Sequence, residues 1–105
     1  MIECREYTRT SVDMLVSFSE ANTTDMREGT MFDLSARGCA VTSMSSVQPG
    51  STVRILIRAS DQGLPIAIES AAVRWSGGGE FGVEFLGLSE TNRHRLDRLL
   101  QTTMD

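Results

Sequence analysis

The sequence predicts a mainly β protein: a small six-stranded antiparallel β-barrel with one C-terminal α-helix. Three observations indicate this fold class. Short segments in which apolar and polar residues alternate recur along the chain as far as Phe85, and turn-forming residues separate them. After Leu88 the alternation gives way to helical spacing. Closely spaced short strands of this kind are typical of small barrels.

The first half of the chain contains three predicted strands. Residues 12–18 alternate between apolar and polar, and the polar stretch 20–28 is predicted to be a loop or hairpin connection. A second strand is predicted over 30–35 and a third over 39–43, with Gly38 breaking the chain between them. In the second strand we expect one face to point into the core, and the other to carry the polar side chains; the core face holds Phe32 and Leu34, and the outer face Met31, Asp33 and Ser35.

The second half contains three more strands and the helix. A type II turn is predicted at 48–51, where Pro49 and Gly50 occupy the central positions. Strands follow over 53–58, 66–75 and 81–85. Ser89 is a suitable N-cap for the helix. Its apolar side chains recur at helical spacing, at Leu96, Leu99 and Leu100, and we expect the helix to cover an open end or edge of the barrel.

Length and composition favour one globular domain. The 105 residues are divided into a flexible N-terminal arm (1–10), the barrel (11–87) and the helical segment (88–105). A net charge of −4 argues against a nucleic-acid partner or an anionic membrane surface. No apolar stretch is long enough to insert into a membrane, and no signal-peptide core follows Met1, so we expect a cytoplasmic protein.

Few residues suit catalysis or metal binding. Cys4, Cys39 and His94 cannot by themselves provide a four-ligand zinc site, and in the cytoplasm both thiols are expected to stay reduced. His94 lies between two arginines in the helical segment, as a solvated residue would. The glycine run 77–79 joins two strands rather than a strand and a helix, so it is no phosphate-binding loop. The sequence therefore predicts neither an enzyme nor a cofactor.

Two short motifs indicate a ligand instead. Arg5 and Arg9 are four residues apart, a spacing that places both guanidinium groups on one side in a helix or a strand. All ten basic residues are arginines, which pair bidentately with phosphate or with the O6 and N7 atoms of guanine. The same spacing recurs at Arg54 and Arg58, on a predicted strand, where we interpret it as a solvated outer face.

The second motif is the run Asp33-Leu34-Ser35-Ala36-Arg37-Gly38. The Asp33 carboxylate suits the N1–H and N2–H₂ donors of guanine, and the Ser35 hydroxyl can donate to a phosphate or base acceptor. Gly38 permits either a left-handed backbone conformation or the close approach of another group to its backbone. The alternative is that these side chains only stabilise a turn.

The two motifs, in this order and spacing, resemble the signature of the PilZ domain family, bacterial receptors for the second messenger cyclic di-GMP. Val73-Arg74-Trp75 and Gly82-Val83-Glu84-Phe85 are similar to the later strands of the family. The resemblance implies that Arg5 and Arg9 clamp cyclic di-GMP and that Asp33, Ser35 and Gly38 form the platform beneath it. Trp75 then either stacks on a guanine or anchors the barrel edge. Arg37 and Arg74 are secondary candidates for phosphate contact.

The resemblance also implies a mechanism: the ligand orders the arm, and the new surface signals to a downstream protein partner. Cys4 stands where many family members that bind a stacked ligand dimer carry a further arginine, which favours a single bound ligand. Two binding alternatives remain at this point. One is a PilZ-like interaction module that binds no nucleotide; the other is an oligonucleotide-binding barrel, which the few aromatic residues and the negative charge disfavour.

Overall fold

The computed structural model describes residues 10–58 and 64–103, which form six β-strands and one α-helix. In chain order the elements are β1 (Thr10–Glu20), β2 (Arg27–Leu34), β3 (Gly38–Thr42), β4 (Thr52–Ile57), β5 (Ile66–Gly77), β6 (Glu80–Gly87) and α1 (Glu90–Thr103). Strand β1 begins at the last residue of the segment expected to form the arm. Residues 1–9, including Arg5 and Arg9, lie outside the described part of the chain.

The strands form a closed barrel in the order β1-β2-β3-β6-β5-β4, and every neighbouring pair is antiparallel. Strand β1 pairs with both β2 and β4, which closes the sheet on itself. The predicted fold class is therefore confirmed. A closed sheet leaves no unpaired edge for another chain to extend.

The apolar side chains on the inward-facing side of each strand fill the barrel interior. Phe18 and Phe81 meet edge to face in this interior, with ring centroids 5.0 Å apart and an interplanar angle of 64°. Leu96 and Leu100 of α1 are buried in the same cluster, so the helix completes the core. In the described ranges no helix is long and apolar enough to cross a membrane.

Local backbone chemistry follows the sequence closely. Gly50 has a φ of 90°, and the N–H of Ser51 donates to the carbonyl of Gln48 at 3.1 Å, as the predicted type II turn requires. The Ser89 hydroxyl accepts from the N–H of Asn92 at 3.2 Å and caps α1. Gly78 and Gly79, with φ values of 65° and 82°, form the tight turn between β5 and β6.

The prediction was wrong about the core face of β2. Met31 pairs with Val41 while Asp33 pairs with Ala40, so Phe32 is an extra residue in a β-bulge. The bulge reverses the alternation: Met31 is fully buried and Phe32 is only half-buried. Leu34 is buried as expected, but Ser35, expected on the outer face of this strand, follows its end at Leu34 and is buried. Without the extra residue, Asp33 would share the buried face of Met31. With the bulge directly before it, Asp33 is half-buried at the barrel surface and is not enclosed in the core.

Candidate functional site

One row of paired residues connects the second motif to the tryptophan. Asp33 on β2 pairs with Ala40 on β3, Ala40 pairs with Gly82 on β6, and Gly82 pairs with Trp75 on β5. Neighbouring strands are about 4.8 Å apart, so Asp33 and Trp75 are roughly 14 Å apart measured along the curved sheet. The two middle residues of the row, Ala40 and Gly82, have little or no side chain, so the sheet surface is low between Asp33 and Trp75.

A surface groove of about 250 Å³ runs along this part of the barrel. It lies over β3 and β6 and reaches the turn before β3 and the outer end of β5. Its lining combines a floor of small residues with charged and aromatic walls: Ser35, Arg37, Gly38, Cys39, Ala40, Arg74, Trp75, Gly82, Val83 and Glu84. We refer to it as the β3–β6 groove.

The indole of Trp75 lies directly over Gly82. A Cβ atom at Gly82 would be 2.2 Å from the indole Nε1 and 2.4 Å from Cε2, so only glycine fits beneath the ring. A β-bulge at Arg74 separates the pairs of Val73 and Trp75, and both Arg74 and Trp75 consequently face outward. Trp75 is 42% exposed and presents a flat aromatic surface in the groove.

The turn between β2 and β3 forms one end of the groove and is held by its own serine. The Ser35 hydroxyl accepts from the N–H of Arg37 at 3.2 Å, and the Ser35 N–H donates to the Gly38 carbonyl at 2.9 Å. Ser35 is buried, so part of its hydrogen-bonding capacity serves the turn itself. Two further bonds reach the turn from outside: Phe85 N–H donates to Arg37 O at 2.7 Å, and Arg93 Nη1 donates to Ala36 O at 2.7 Å.

Gly38 is required for close approach and not for a left-handed backbone. Positive φ values among the described residues belong to Gly50, Gly78 and Gly79. A Cβ atom at Gly38 would instead lie 2.2 Å from the backbone oxygen of Val83 on the neighbouring strand. Of the two roles open from the sequence, the structure therefore supports the second.

Charges of both signs meet in the groove. Glu84 Oε1 accepts from Arg74 Nε at 2.9 Å and from Arg74 Nη2 at 2.5 Å. Glu84 Oε2 is 3.8 Å from Nη2 of Arg37. Each of these three side chains is at least 36% exposed, so solvent screens their attraction. Two arginines and one carboxylate give this wall a net positive charge.

Cys39 lies beneath the groove and behaves as a buried thiol. Burial raises its pKa to about 12, and the charge of nearby Asp33 adds to the increase. The thiol is therefore protonated at neutral pH and unreactive as a nucleophile.

The structure brings three of the six predicted site residues into one groove: Ser35, Gly38 and Trp75. Asp33 is in the same row of paired residues but does not line the groove, and Arg5 and Arg9 fall outside the described residues. Sequence reasoning missed Gly82 and Glu84. Their signal was present, because a glycine inside a strand often marks a close approach, and period-two alternation places both residues on the outer face.

The chain matches the model of the PilZ domain over residues 3–102 and so belongs to the PilZ domain family. The match covers both motifs, the barrel and nearly all of α1. No curated protein sequence matches the chain.

Solved structures share the fold at low sequence identity. The inhibitor of motility MotI/DgrA of Bacillus subtilis has a TM-score of 0.76 and 23% identity, with 98% of this chain and 50% of that chain covered. The PilZ domain of YcgR from Escherichia coli, solved with cyclic di-GMP, has a TM-score of 0.70 and 17% identity, with 97% and 92% covered. This chain thus spans half the length of MotI/DgrA and nearly all of the YcgR domain.

Proposed function

We propose that this PilZ domain is a receptor for cyclic di-GMP and that it signals to a protein partner. The observation that carries the proposal is the β3–β6 groove, where Ser35 and Gly38 of the second motif meet Trp75, a residue distant in sequence. A tryptophan face, a net positive wall and a glycine-rich floor suit a flat, anionic purine ligand. The proposed function is binding and not catalysis.

Each site residue has a distinct proposed role. Trp75 stacks on one guanine, and Asp33 accepts from the N1–H and N2–H₂ edge of a guanine. Arg5 and Arg9 close over the ligand and pair with its phosphates and with guanine O6 and N7. Ser35 and Gly38 shape the turn on which the ligand rests. With Cys4 before the arginine pair, we propose one ligand per domain.

Signalling follows from the position of the two arginines in the chain. They precede β1, so a ligand held between them and the groove fixes the start of the chain against the barrel. The fixed segment and the ligand together present a surface that the free protein lacks. We propose that a cytoplasmic protein partner recognises this surface.

Calorimetric titration with cyclic di-GMP tests the proposal. Wild type should bind, and Arg5→Ala, Arg9→Ala, Asp33→Ala and Trp75→Ala should each lose about 1–3 kcal/mol of binding free energy. Arg54→Ala is the matched control, because Arg54 begins the other pair with the same spacing and is exposed on β4, away from the groove. Its affinity should equal that of wild type.

Two further measurements sharpen the result. Cyclic di-AMP lacks the guanine donor edge that Asp33 accepts from, so it should bind far more weakly than cyclic di-GMP. Trypsin cleaves after arginine, and saturating cyclic di-GMP should slow cleavage at Arg5 and Arg9. A wild-type protein that binds neither nucleotide, with cleavage unchanged, would instead support the alternative of a protein-interaction module.

A further inference from the structure

Arg93 connects α1 to the turn between β2 and β3. Its Nη1 donates to the backbone carbonyl of Ala36 at 2.7 Å, across 57 positions of sequence. Ala36 is the central part of the run 35–38, the turn that ends the β3–β6 groove. The arginine is half-buried, and this contact is partly shielded from water. A charged donor on a partly buried carbonyl is a strong type of hydrogen bond.

The turn is also held by hydrogen bonds of its own. Inside it, the Ser35 N–H donates to Gly38 O, and the Ser35 hydroxyl accepts from the N–H of Arg37 and donates to Gly38 O at 3.4 Å. These three bonds set the shape of the turn but not its tilt relative to the barrel. The tilt is set by bonds from neighbouring elements, of which the structure gives Phe85 N–H on Arg37 O and the Arg93 guanidinium on Ala36 O.

Helix α1 is in turn held firmly enough to act as a support. Leu96 is fully buried and Leu100 nearly so, which fixes the helix against the barrel interior. On its other flank Arg95 donates from Nη1 to Pro65 O at 3.0 Å and from Nη2 to Leu64 O at 2.7 Å. Arg93 and Arg95 thus tie one helix to two different loops, and only the loop bound by Arg93 borders the groove.

We propose that Arg93 is a positioning residue for the nucleotide site: it fixes the tilt of the Ser35–Gly38 turn and couples α1 to the bound ligand. The identity of the ligand in this inference rests on the proposed function, whereas the Arg93–Ala36 contact does not. By linkage, a ligand that strengthens the Arg93–Ala36 contact must be bound more weakly when that contact is lost. Helix α1 then senses occupancy of the groove without touching the ligand.

The matched pair Arg93→Ala and Arg95→Ala separates positioning from general stability. Arg95 makes two hydrogen bonds to backbone carbonyls and Arg93 makes one to Ala36, so Arg95→Ala should destabilise the fold at least as much. In titrations with cyclic di-GMP we expect about tenfold weaker binding for Arg93→Ala, a size usual for coupled sites, and unchanged binding for Arg95→Ala. Arg93→Lys, which restores a donor, should recover part of the loss.

A ligand-free measurement keeps this inference separate from the proposed function. Amide hydrogen exchange in the free protein should accelerate at Arg37 N–H and Phe85 N–H in Arg93→Ala, and not in Arg95→Ala. If wild type binds no cyclic di-GMP but this exchange pattern appears, the proposed ligand is wrong and the positioning role holds. Equal exchange at those two amides in wild type and Arg93→Ala would overturn the inference. If wild type binds cyclic di-GMP, equal losses of affinity in Arg93→Ala and Arg95→Ala would overturn it too.

Discussion

Glu84 and Arg74 form the closest ion pair in the β3–β6 groove, with Arg74 Nε 2.9 Å and Nη2 2.5 Å from the same carboxylate oxygen, Oε1. Glu84 also faces Arg37, at 3.8 Å from its other oxygen. The Glu84 carboxylate thus occupies the two guanidinium groups of this wall. If the proposed ligand places a phosphate there, that phosphate has to compete with Glu84 for them.

Replacing Glu84 by glutamine should therefore tighten the binding of cyclic di-GMP. The substitution keeps the size of the side chain and removes its charge. Because the pair is partly exposed, we expect a gain of about two- to fivefold in affinity, within the range of surface ion pairs. The gain should shrink at high salt, where exposed charges are screened. Calorimetric titration at two ionic strengths measures both effects.

Glu80→Gln is the matched control for charge, because Glu80 is an exposed glutamate on the same strand that does not line the groove. It should change affinity less than Glu84→Gln does. A Glu84→Gln variant that binds more weakly than wild type would show that Glu84 orients the arginines for the ligand and does not compete with it.

Gly82→Ala should displace the indole of Trp75. The new Cβ would lie 2.2 Å from Nε1, and a rigid ring cannot yield locally as a flexible chain end would. We expect a changed tryptophan fluorescence spectrum and weaker ligand binding, close to that of Trp75→Ala. Gly87→Ala on the same strand is the control, since its nearest contact would be 3.4 Å from Ser70 Cβ. Equal spectra for Gly82→Ala and wild type would contradict the packing described.

Gly38→Ala should destabilise the fold itself. Its Cβ would lie 2.2 Å from the backbone oxygen of Val83, and the strands β3 and β6 must separate to admit it. We expect a loss of at least about 1–3 kcal/mol in the free energy of unfolding, as for other overpacked sites. Gly77→Ala is the control because nothing lies within 4 Å of its Cβ position. Denaturant unfolding of the two variants should rank them clearly, with Gly77→Ala close to wild type.

Cys39 should make stability fall at alkaline pH. Its pKa rises from 9.0 to about 12 on folding, so between these values the native thiol keeps a proton that the unfolded chain loses. The contribution is complete below pH 9 and is lost as pH rises toward 12, by about 1.4 kcal/mol per pH unit. Unfolding curves of Cys4→Ser and of the double variant Cys4→Ser/Cys39→Ala should diverge in this window, with the steeper decline in the protein that keeps Cys39. Parallel curves would show that the thiol is not buried in solution.

Local sequence patterns predict much of the fold. Period-two alternation predicts all six strands and the change after Leu88 predicts α1, because each pattern reflects which side of an element faces the core. The Pro49-Gly50 turn and the Ser89 cap are equally local, since each depends on a few neighbouring residues. The two motifs are also visible in the sequence, and the family model confirms the class of protein that they indicate.

Other features depend on contacts between strands that no local pattern encodes. The bulge at Phe32 is a matter of register against β3, so alternation alone assigned Met31 and Phe32 to the wrong faces. The stacking of Trp75 on Gly82, the Glu84 pair and the contact of Arg93 with Ala36 each join residues that approach only when the barrel closes. The sequence by itself therefore determined the elements and the residue types of the site. Tertiary structure decided which of those residues share a groove, because side-chain direction and strand register are fixed only by packing.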